Sequence, residues 1–223
     1  MGDRAAKDAL YDGFAEVAKA LANGRRAEIV DVLAQGERHV DALAEELVQT
    51  VANTSFHLRA LAAAGLVTTR RSGNRIYYRL VSEQVGVLWS ALREVTAAHH
   101  EALDSLAAAY LGDRSGVEEV DRDELARRLD DGSVIVLDVR PEVEYAAGHI
   151  AGARSIPHDR LVDELAGLPP DAEVVAYCRG PFCIYADDAV RVLRRHRRRA
   201  RRLRDGYPEW QRAGLPVSVG TAS

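Results

Sequence analysis

Two cysteines, Cys178 and Cys183, are the residues whose type and spacing best suit covalent chemistry in this sequence. Cys178 follows the apolar run 173–177, which predicts a strand, and a helical pattern begins at Ile184. A short loop between a strand and a helix can direct its backbone N–H groups at its first residue, where a thiol gains a lowered pKa and becomes nucleophilic. A cysteine at a strand end is also commonly a buried structural residue. The loop expected to cradle sulfur or an anion consists of Arg179, Gly180, Pro181 and Phe182.

The composition limits the class of protein. The 223 residues include 30 Lys+Arg and 34 Asp+Glu, a formal charge of −4, with 47% hydrophobic and 29% charged residues. These values exclude a disordered tail protein and a strongly basic nucleic-acid coat. No apolar run approaches the roughly 18 residues of a membrane span, the charged start lacks a signal-peptide core, and Ala6 breaks the myristoylation pattern. We therefore expect a cytoplasmic protein without a membrane partner, whose two thiols serve chemistry rather than a disulfide framework.

The character of the sequence changes near residue 114. Helical periodicity rich in alanine and leucine dominates before it, whereas β-branched runs alternate with helical stretches after it. Strands that alternate with helices predict an α/β domain with a mainly parallel sheet. We expect a first domain over residues 1–112, a linker over 113–118 and the α/β domain over 119–223.

The first half reads as short helices followed by a hairpin. Helical patterns end at Asn23-Gly24, at Gln35-Gly36 and at Gly65. Two alternating runs, 66–71 and 75–80, then flank a glycine turn and predict a β-hairpin. This order describes an all-α winged helix-turn-helix with a β-hairpin wing.

Three segments of this half resemble the ArsR/SmtB family of bacterial repressors: 20–26 (ALANGRR), 55–67 (SFHLRALAAAGLV) and 70–80 (RRSGNRIYYRL). The resemblance covers about residues 8–110. It implies a homodimer that binds double-stranded operator DNA and places the helix over residues 51–63 of each subunit in a major groove.

Polar and basic side chains in that helix and in the wing suit contact with base edges and phosphates. On the helix, the face expected to be exposed holds Asn53, Thr54, Ser55, His57 and Arg59. On the wing, the expected contacts are Arg70, Arg71 and Arg75. The alternative is a protein-binding winged helix with solvated polar residues, because residues 1–112 hold 12 basic and 14 acidic side chains, a net −2. The concentration of basic residues in the helix and wing favours DNA.

A near-heptad apolar stripe follows the wing and predicts a dimer helix around residues 85–110, about six turns long. Intramolecular packing of that stripe is the alternative. Its members are Leu88, Leu92, Val95, His99, Leu103, Leu106 and Tyr110. Some relatives bind zinc on this helix through an Asp-x-His pattern, but Ala97 and Ala98 stand two positions before the adjacent histidines. We expect no metal and no cofactor.

Five segments of the second half, in order, resemble the rhodanese family: 136–141 (VLDVRP), 142–145 (EVEY), 148–153 (GHIAGA), 205–210 (DGYPEW) and 213–217 (AGLPV). The resemblance covers about residues 118–219. It implies that Cys178 is the sulfur-accepting nucleophile, which cycles between thiol and persulfide, and that the amides of residues 179–183 surround the outer sulfur. The polar residues Asp138, Arg140, Glu144 and His149 are expected to be structural.

Cys183 stands where the family's loop usually has arginine or threonine, which favours sensing over efficient thiosulfate turnover. A second thiol at the opposite rim of so short a loop lies at a plausible disulfide distance. It could convert a persulfide on Cys178 into a disulfide or a bridging polysulfide. The alternative is that Cys183 is a small apolar residue at a helix start.

These observations predict a dimeric transcriptional repressor whose rhodanese domain senses thiosulfate, polysulfide or persulfide. Two alternatives stay open. One is a sulfurtransferase that the winged helix only localises, and the other is a general redox or arsenic(III) sensor. The nine arginines of residues 191–204 indicate either a solvated surface or a supplementary DNA or anion contact.

Overall fold

A computed structural model describes residues 3–220, and the chain divides into two compact units. The N-terminal unit extends to His100 and the C-terminal unit begins at Glu101. The predicted linker, 113–118, therefore belongs to the C-terminal unit. The outermost residues of the two predicted domains, 1–2 and 221–223, lie outside the described residues. Between residues 3 and 220, no helix is both long and apolar enough to cross a membrane.

The N-terminal unit is a helical domain with a three-stranded sheet of order β1-β3-β2. Antiparallel β2 and β3 form the hairpin, with Ser72 opposite Arg75 at the turn. The elements, in chain order, are α1 (Arg4–Leu21), α2 (Gly24–Leu33), β1 (Arg38–His39), α3 (Val40–Glu46), α4 (Val51–Ala63), β2 (Val67–Ser72), β3 (Arg75–Leu80) and α5 (Glu83–His99).

Local capping fixes where two of these helices start. The Asn23 side chain accepts a hydrogen bond from the Arg26 N–H before α2, and Thr50 Oγ1 accepts one from the Asn53 N–H before α4. The inner faces of α2, α3 and α4 then meet in one apolar core. Its fully buried members include Ile29, Val30, Leu43, Leu58 and Leu61. The winged helix-turn-helix prediction is confirmed.

The predicted dimer helix is not continuous. Helix α5 ends at His99, His100 adopts an extended backbone (φ −98°, ψ 98°), and a second helix, α6 (Leu103–Leu111), begins after the break. The prediction of one helix about six turns long is therefore wrong. The break coincides with the boundary between the two units, and no glycine or proline marks it in the sequence.

The C-terminal unit contains a five-stranded parallel sheet of order β4-β9-β8-β5-β7 and a two-stranded pair, β6 with β10. The α/β prediction with a mainly parallel sheet is confirmed. After α6, the elements are β4 (Glu119–Val120), α7 (Arg122–Asp130), β5 (Ile135–Asp138), α8 (Glu142–Ala147), β6 (His149–Ile150), β7 (Arg154–Ser155), α9 (Leu161–Glu164), β8 (Glu173–Tyr177), α10 (Ile184–Arg195), β9 (Arg199–Leu203), α11 (Tyr207–Arg212) and β10 (Val217–Ser218).

Strand β8 occupies the centre of the sheet, and both of its faces are covered. Val174 and Ala176 belong to the apolar cluster that α10 covers, whereas Val175 and Tyr177 belong to the cluster on the opposite face, around Trp210. A strand buried on both faces explains the continuous apolar run in the sequence. Its carboxyl end delivers the chain directly into the cysteine loop.

Candidate functional site

The cysteine loop joins the end of β8 to the start of α10, and its two cysteines form a disulfide with their Cα atoms 6.3 Å apart. Cys178 is only 1% exposed, whereas Cys183 is half-buried at the rim. The predicted role as a sulfur-accepting nucleophile requires that Cys178 be reachable from solvent, and in the disulfide form it is not. The reason is the period-2 alternation of β8: Cys178 continues the face of Val174 and Ala176 and lies beneath α10.

Backbone contacts hold this loop tightly. The Cys183 N–H donates to the Gly180 carbonyl over 3.2 Å, so this amide is used inside the loop, and the Cys178 carbonyl accepts from the Tyr207 N–H over 3.0 Å. Gly206 packs against the loop so closely that a Cβ there would lie 2.3 Å from Gly180 N and 2.4 Å from Arg179 C. The glycine is therefore required by the close approach of two backbones.

The side chain of Arg179 turns toward α8 and forms an ion pair with Glu144. Arg179 Nε lies 3.0 and 3.1 Å from the two carboxylate oxygens, and Nη2 lies 2.5 Å from Oε1. Glu144 is fully buried and Arg179 nearly so. Such a pair is costly to break once buried, because the remaining charge loses its partner. It anchors the first residue of the loop after Cys178.

A second buried polar group lies behind the loop. Asp138 at the end of β5 pairs with Arg140 over 2.6 Å, and the Tyr177 hydroxyl donates to the same carboxylate. Burial raises the pKa of Tyr177 well above its usual range, and the negative charge of Asp138 adds to the shift. Arg140 also donates to the Gly148 carbonyl over 2.7 Å. These residues connect β5, β6 and β8, in line with their expected structural role.

The segment 113–118 is bonded to the cysteine loop and to α10. Arg114 donates from Nη2 to the Pro181 carbonyl over 2.9 Å and from Nε to the buried Asp187 over 2.5 Å. Asp187 also accepts from Arg202 over 2.9 Å. Two arginines of α10 also bond to this segment. Arg191 donates to the Asp113 carbonyl over 2.7 Å, and Arg194 donates to the Gly116 carbonyl. Nothing in the sequence alone pairs Arg114 with this loop.

In the N-terminal unit, α4 does not present all of the predicted DNA contacts. Thr54 and His57 are buried, so their predicted exposure is wrong; they lie on the helix face of Leu58, which packs into the core. Thr54 donates to the Thr50 carbonyl over 3.1 Å. Asn53 and Ser55 are half-buried flanks, and Arg59 is exposed. Phe56, which was not among the predicted contacts, is 57% exposed.

The wing places the three predicted arginines differently. Arg70 forms an ion pair with Glu37 and lies over the Tyr77 ring, with its guanidinium carbon 5.1 Å from the ring centre. The hydrogen bond from Arg70 lowers the pKa of the Glu37 carboxyl. Arg71 and Arg75 are exposed, and Arg71 donates to the Gly73 carbonyl over 3.3 Å near the hairpin turn. The wing tip therefore presents Arg71 and Arg75 to solvent.

Most of the arginine run in the C-terminal unit serves internal bonds. Seven of the nine side chains donate to carbonyl oxygens or carboxylates of their own unit. They are Arg191, Arg194, Arg198, Arg199, Arg201, Arg202 and Arg204. This use favours the structural interpretation over a supplementary DNA contact.

Comparison with known proteins assigns both units. Residues 23–69 match the bacterial regulatory protein, arsR family, and residues 121–213 match the rhodanese-like domain family. The HTH-type transcriptional regulator Rv0324 of Mycobacterium tuberculosis is 50% identical over 96% of this chain and 94% of its own length. The chain is a member of the ArsR family. This ArsR-family regulator carries a rhodanese-like domain after its winged helix-turn-helix, as both resemblances implied.

Two further relatives match one half each of this ArsR-family regulator. A sulfurtransferase of Allochromatium vinosum is 33% identical over 45% of this chain and 94% of its own length. The homodimeric winged helix-turn-helix DNA-binding domain (fragment 1–100) of Mb0332 from Mycobacterium bovis, a possible ArsR-family transcriptional regulator solved by NMR, is 46% identical. The structural match covers 45% of this chain and 92% of that fragment, with a TM-score of 0.42.

Proposed function

We propose that this regulator is a homodimeric repressor that senses reactive sulfur species, and that formation of the Cys178–Cys183 disulfide releases it from operator DNA. The observation that carries the proposal is the disulfide itself, which closes the loop between β8 and α10 of a domain fused to a DNA-binding unit. Such a regulator acts on chromosomal DNA, so we place it in the cytoplasm. A small persulfide, polysulfide or thiosulfate is the sulfur donor.

The chemistry takes two steps from the reduced chain and balances with a persulfide R–S–SH as donor. Because Cys178 is 1% exposed in the disulfide form, this step requires that the reduced loop open to the donor. The Cys178 thiolate then attacks the outer sulfur, which forms Cys178–S–SH and releases R–S⁻. The Cys183 thiolate then attacks the Cys178 sulfur, which forms the disulfide and releases HS⁻. The two cysteines lose two electrons and the sulfane sulfur gains them as hydrosulfide.

The burial of the disulfide determines how the signal is reset. Because Cys178 is 1% exposed and Cys183 lies at the rim, an incoming thiolate reaches Cys183 first. It forms a mixed disulfide there, and Cys178 leaves as the thiolate. A second thiol then frees Cys183. Reduction of the disulfide therefore starts at Cys183, whereas oxidation starts at Cys178.

The contacts of Arg114 supply a route from the loop to the rest of the chain. Its bond to the Pro181 carbonyl ties the segment 113–118 to the loop two residues before Cys183. The same segment follows α6 directly. We propose that closing the disulfide changes the position of this segment and thereby the DNA-binding form of the dimer.

The dimer is proposed from exposed apolar side chains on α1 and α5 of the N-terminal unit. On α1 these are Leu10, Tyr11 and Phe14, and on α5 they are Val87, Leu88, Leu92 and Val95. A single chain leaves them in water, and exposed apolar side chains concentrated on two helices favour an interface. A two-fold axis through this surface would match a palindromic operator.

The test uses the full-length chain and a duplex that the reduced chain enriches from random 30-base-pair DNA. Fluorescence anisotropy then measures affinity before and after inorganic polysulfide, with Cys178→Ser and Cys183→Ser as matched variants. Coupling of about 1–3 kcal/mol predicts five- to 150-fold weaker binding by the oxidised wild type and no change in Cys178→Ser. Equal release from wild type and Cys178→Ser contradicts the proposal. A response to peroxide or arsenite but not to polysulfide would identify the general redox or arsenic(III) sensor.

A second candidate function is a sulfurtransferase, supported by the similarity to the Allochromatium vinosum protein over the C-terminal unit. It predicts thiocyanate formation from thiosulfate and cyanide that is lost in Cys178→Ala. Operator DNA would not change that rate. Turnover without any effect of the disulfide on DNA affinity would favour this function over the sensor.

A further inference from the structure

The outward face of α4 is apolar at its centre. Phe56 is 57% exposed, Ala52 is exposed one turn before it, and Arg59 is exposed one turn after it. Residues four and three apart share one face of a helix, so these three side chains form a single stripe. The stripe lies opposite the buried Thr54 and Leu58. The Phe56 ring meets the His57 ring, with ring centres 5.4 Å apart, and more than half of the Phe56 side chain faces solvent.

The polar side chains predicted for this face are largely used elsewhere. Thr54 and His57 are buried in the unit. Asn53 is half-buried, and its side-chain amide donates to Gln49 Oε1 over 2.5 Å. Thr54 and His57 are therefore not placed to contact base edges, and one amide hydrogen of Asn53 is already used by the bond to Gln49.

We infer that Phe56, together with Ala52, recognises the 5-methyl groups of thymine in the major groove. The inference rests on the DNA-binding function of the unit. The recognition helix of a winged helix-turn-helix enters the major groove, and the thymine methyl is the apolar feature that base edges present there. Alanine and phenylalanine are side chains that contact it.

Charge identifies duplex DNA, rather than a protein, as the occupant of this stripe. Arg59 continues the stripe, and Arg71 and Arg75 project from the wing that follows α4. Phosphates on either side of a groove fit these positive charges, which an apolar protein surface would leave unpaired. The proposed dimer uses the exposed apolar side chains of α1 and α5, so a second copy of the chain does not need α4.

The experiment compares thymine with uracil, which lacks only the methyl group. The full-length reduced chain selects a duplex from random DNA, and that duplex is synthesised with thymine or with uracil throughout. Wild type is expected to bind the uracil duplex about three- to tenfold more weakly. Phe56→Ala is expected to bind the thymine duplex more weakly and to lose this discrimination, and Phe56→Leu to keep part of it. Arg71→Ala, a phosphate-contact control, should weaken both duplexes and keep the ratio.

The deciding measurement is the thymine-to-uracil affinity ratio within one protein, so partial unfolding of a variant cancels from it. Equal wild-type affinity for the two duplexes overturns the inference, and so does full discrimination by both Phe56 variants. Failure to enrich any duplex overturns the inference and the DNA-binding function together, which distinguishes it from failure of the methyl contact alone.

Discussion

Arg114→Met is expected to uncouple the cysteine loop from DNA binding while leaving the cysteines intact. The substitution keeps a long aliphatic side chain but removes the donors to the Pro181 carbonyl and to Asp187. The segment 113–118 then loses its bond to the loop. The bonds from α10 to residues 113 and 116 remain.

The magnitude follows from the two bonds. A hydrogen bond to a charged group contributes about 1.5–3 kcal/mol, and the 28% exposure of the Arg114 side chain places this pair at the lower end. Asp187 stays paired because Arg202 lies 2.9 Å away. A net loss of about 2 kcal/mol lowers the Tm of the C-terminal unit by about 5–10 °C. The ratio of reduced to oxidised DNA affinity is expected to fall about five- to thirtyfold toward one.

Two assays on the same preparations check this prediction: thermal unfolding by circular dichroism, and anisotropy titration of the selected duplex with fully reduced and fully oxidised chain. Arg127→Met is the matched control, because Arg127 is an exposed arginine of α7 in the same unit. It should keep both the Tm and the affinity ratio. An unchanged ratio in Arg114→Met, with the disulfide formed, would refute the route through segment 113–118.

Three further predictions follow from single contacts. Gly206→Ala should force the cysteine loop to move, because the new Cβ would lie 2.3 Å from Gly180 N. We expect slower disulfide formation, measured by thiol titration, and a lower Tm. Gly167→Ala is the control and should match wild type, because the space around its Cβ is open. The hydrogen bond from Arg128 lowers the pKa of Glu173 to about 2 from 4.5. The pair therefore stabilises the fold above pH 4.5, by about 3 kcal/mol, and loses this effect as pH falls toward 2. Denaturant unfolding of Glu173→Gln against pH should show a flatter acid limb than wild type, and an identical limb would contradict the assignment. On the wing, Arg75→Ala should weaken DNA binding uniformly and reduce the salt slope by about 1, measured by anisotropy at several salt concentrations; an unchanged slope would remove Arg75 from the interface.

Local sequence signals were sufficient for the elements around the cysteines. The apolar run before Cys178 and the helical pattern from Ile184 correctly predicted a strand, a loop and a helix. Burial of Cys178 was considered only as an alternative to a reactive thiol, although the alternation of Val174, Ala176 and Cys178 indicated it. A residue that continues the buried face of a central strand is covered by whatever helix packs there.

Features that depend on packing between distant segments were harder to predict from the sequence. Which face of α4 is buried depends on the core that Leu58 and Leu61 enter. The i, i+4, i+7 spacing of Thr54, Leu58 and Leu61 could have identified that buried face. The break at His100 has no glycine or proline signal. The bond from Arg114 to Pro181 joins residues 67 positions apart, a pairing that no local pattern contains.

The most direct test of the central proposal measures the oxidation state of the loop and DNA affinity in the same samples. Wild-type chain is poised at graded ratios of polysulfide to thiol, the fraction of Cys178–Cys183 disulfide is quantified by mass spectrometry of the peptide, and each sample is titrated against the selected duplex. The proposal predicts that the DNA-binding fraction falls in proportion to the disulfide fraction. A constant affinity as the disulfide fraction rises from zero to completion would contradict it.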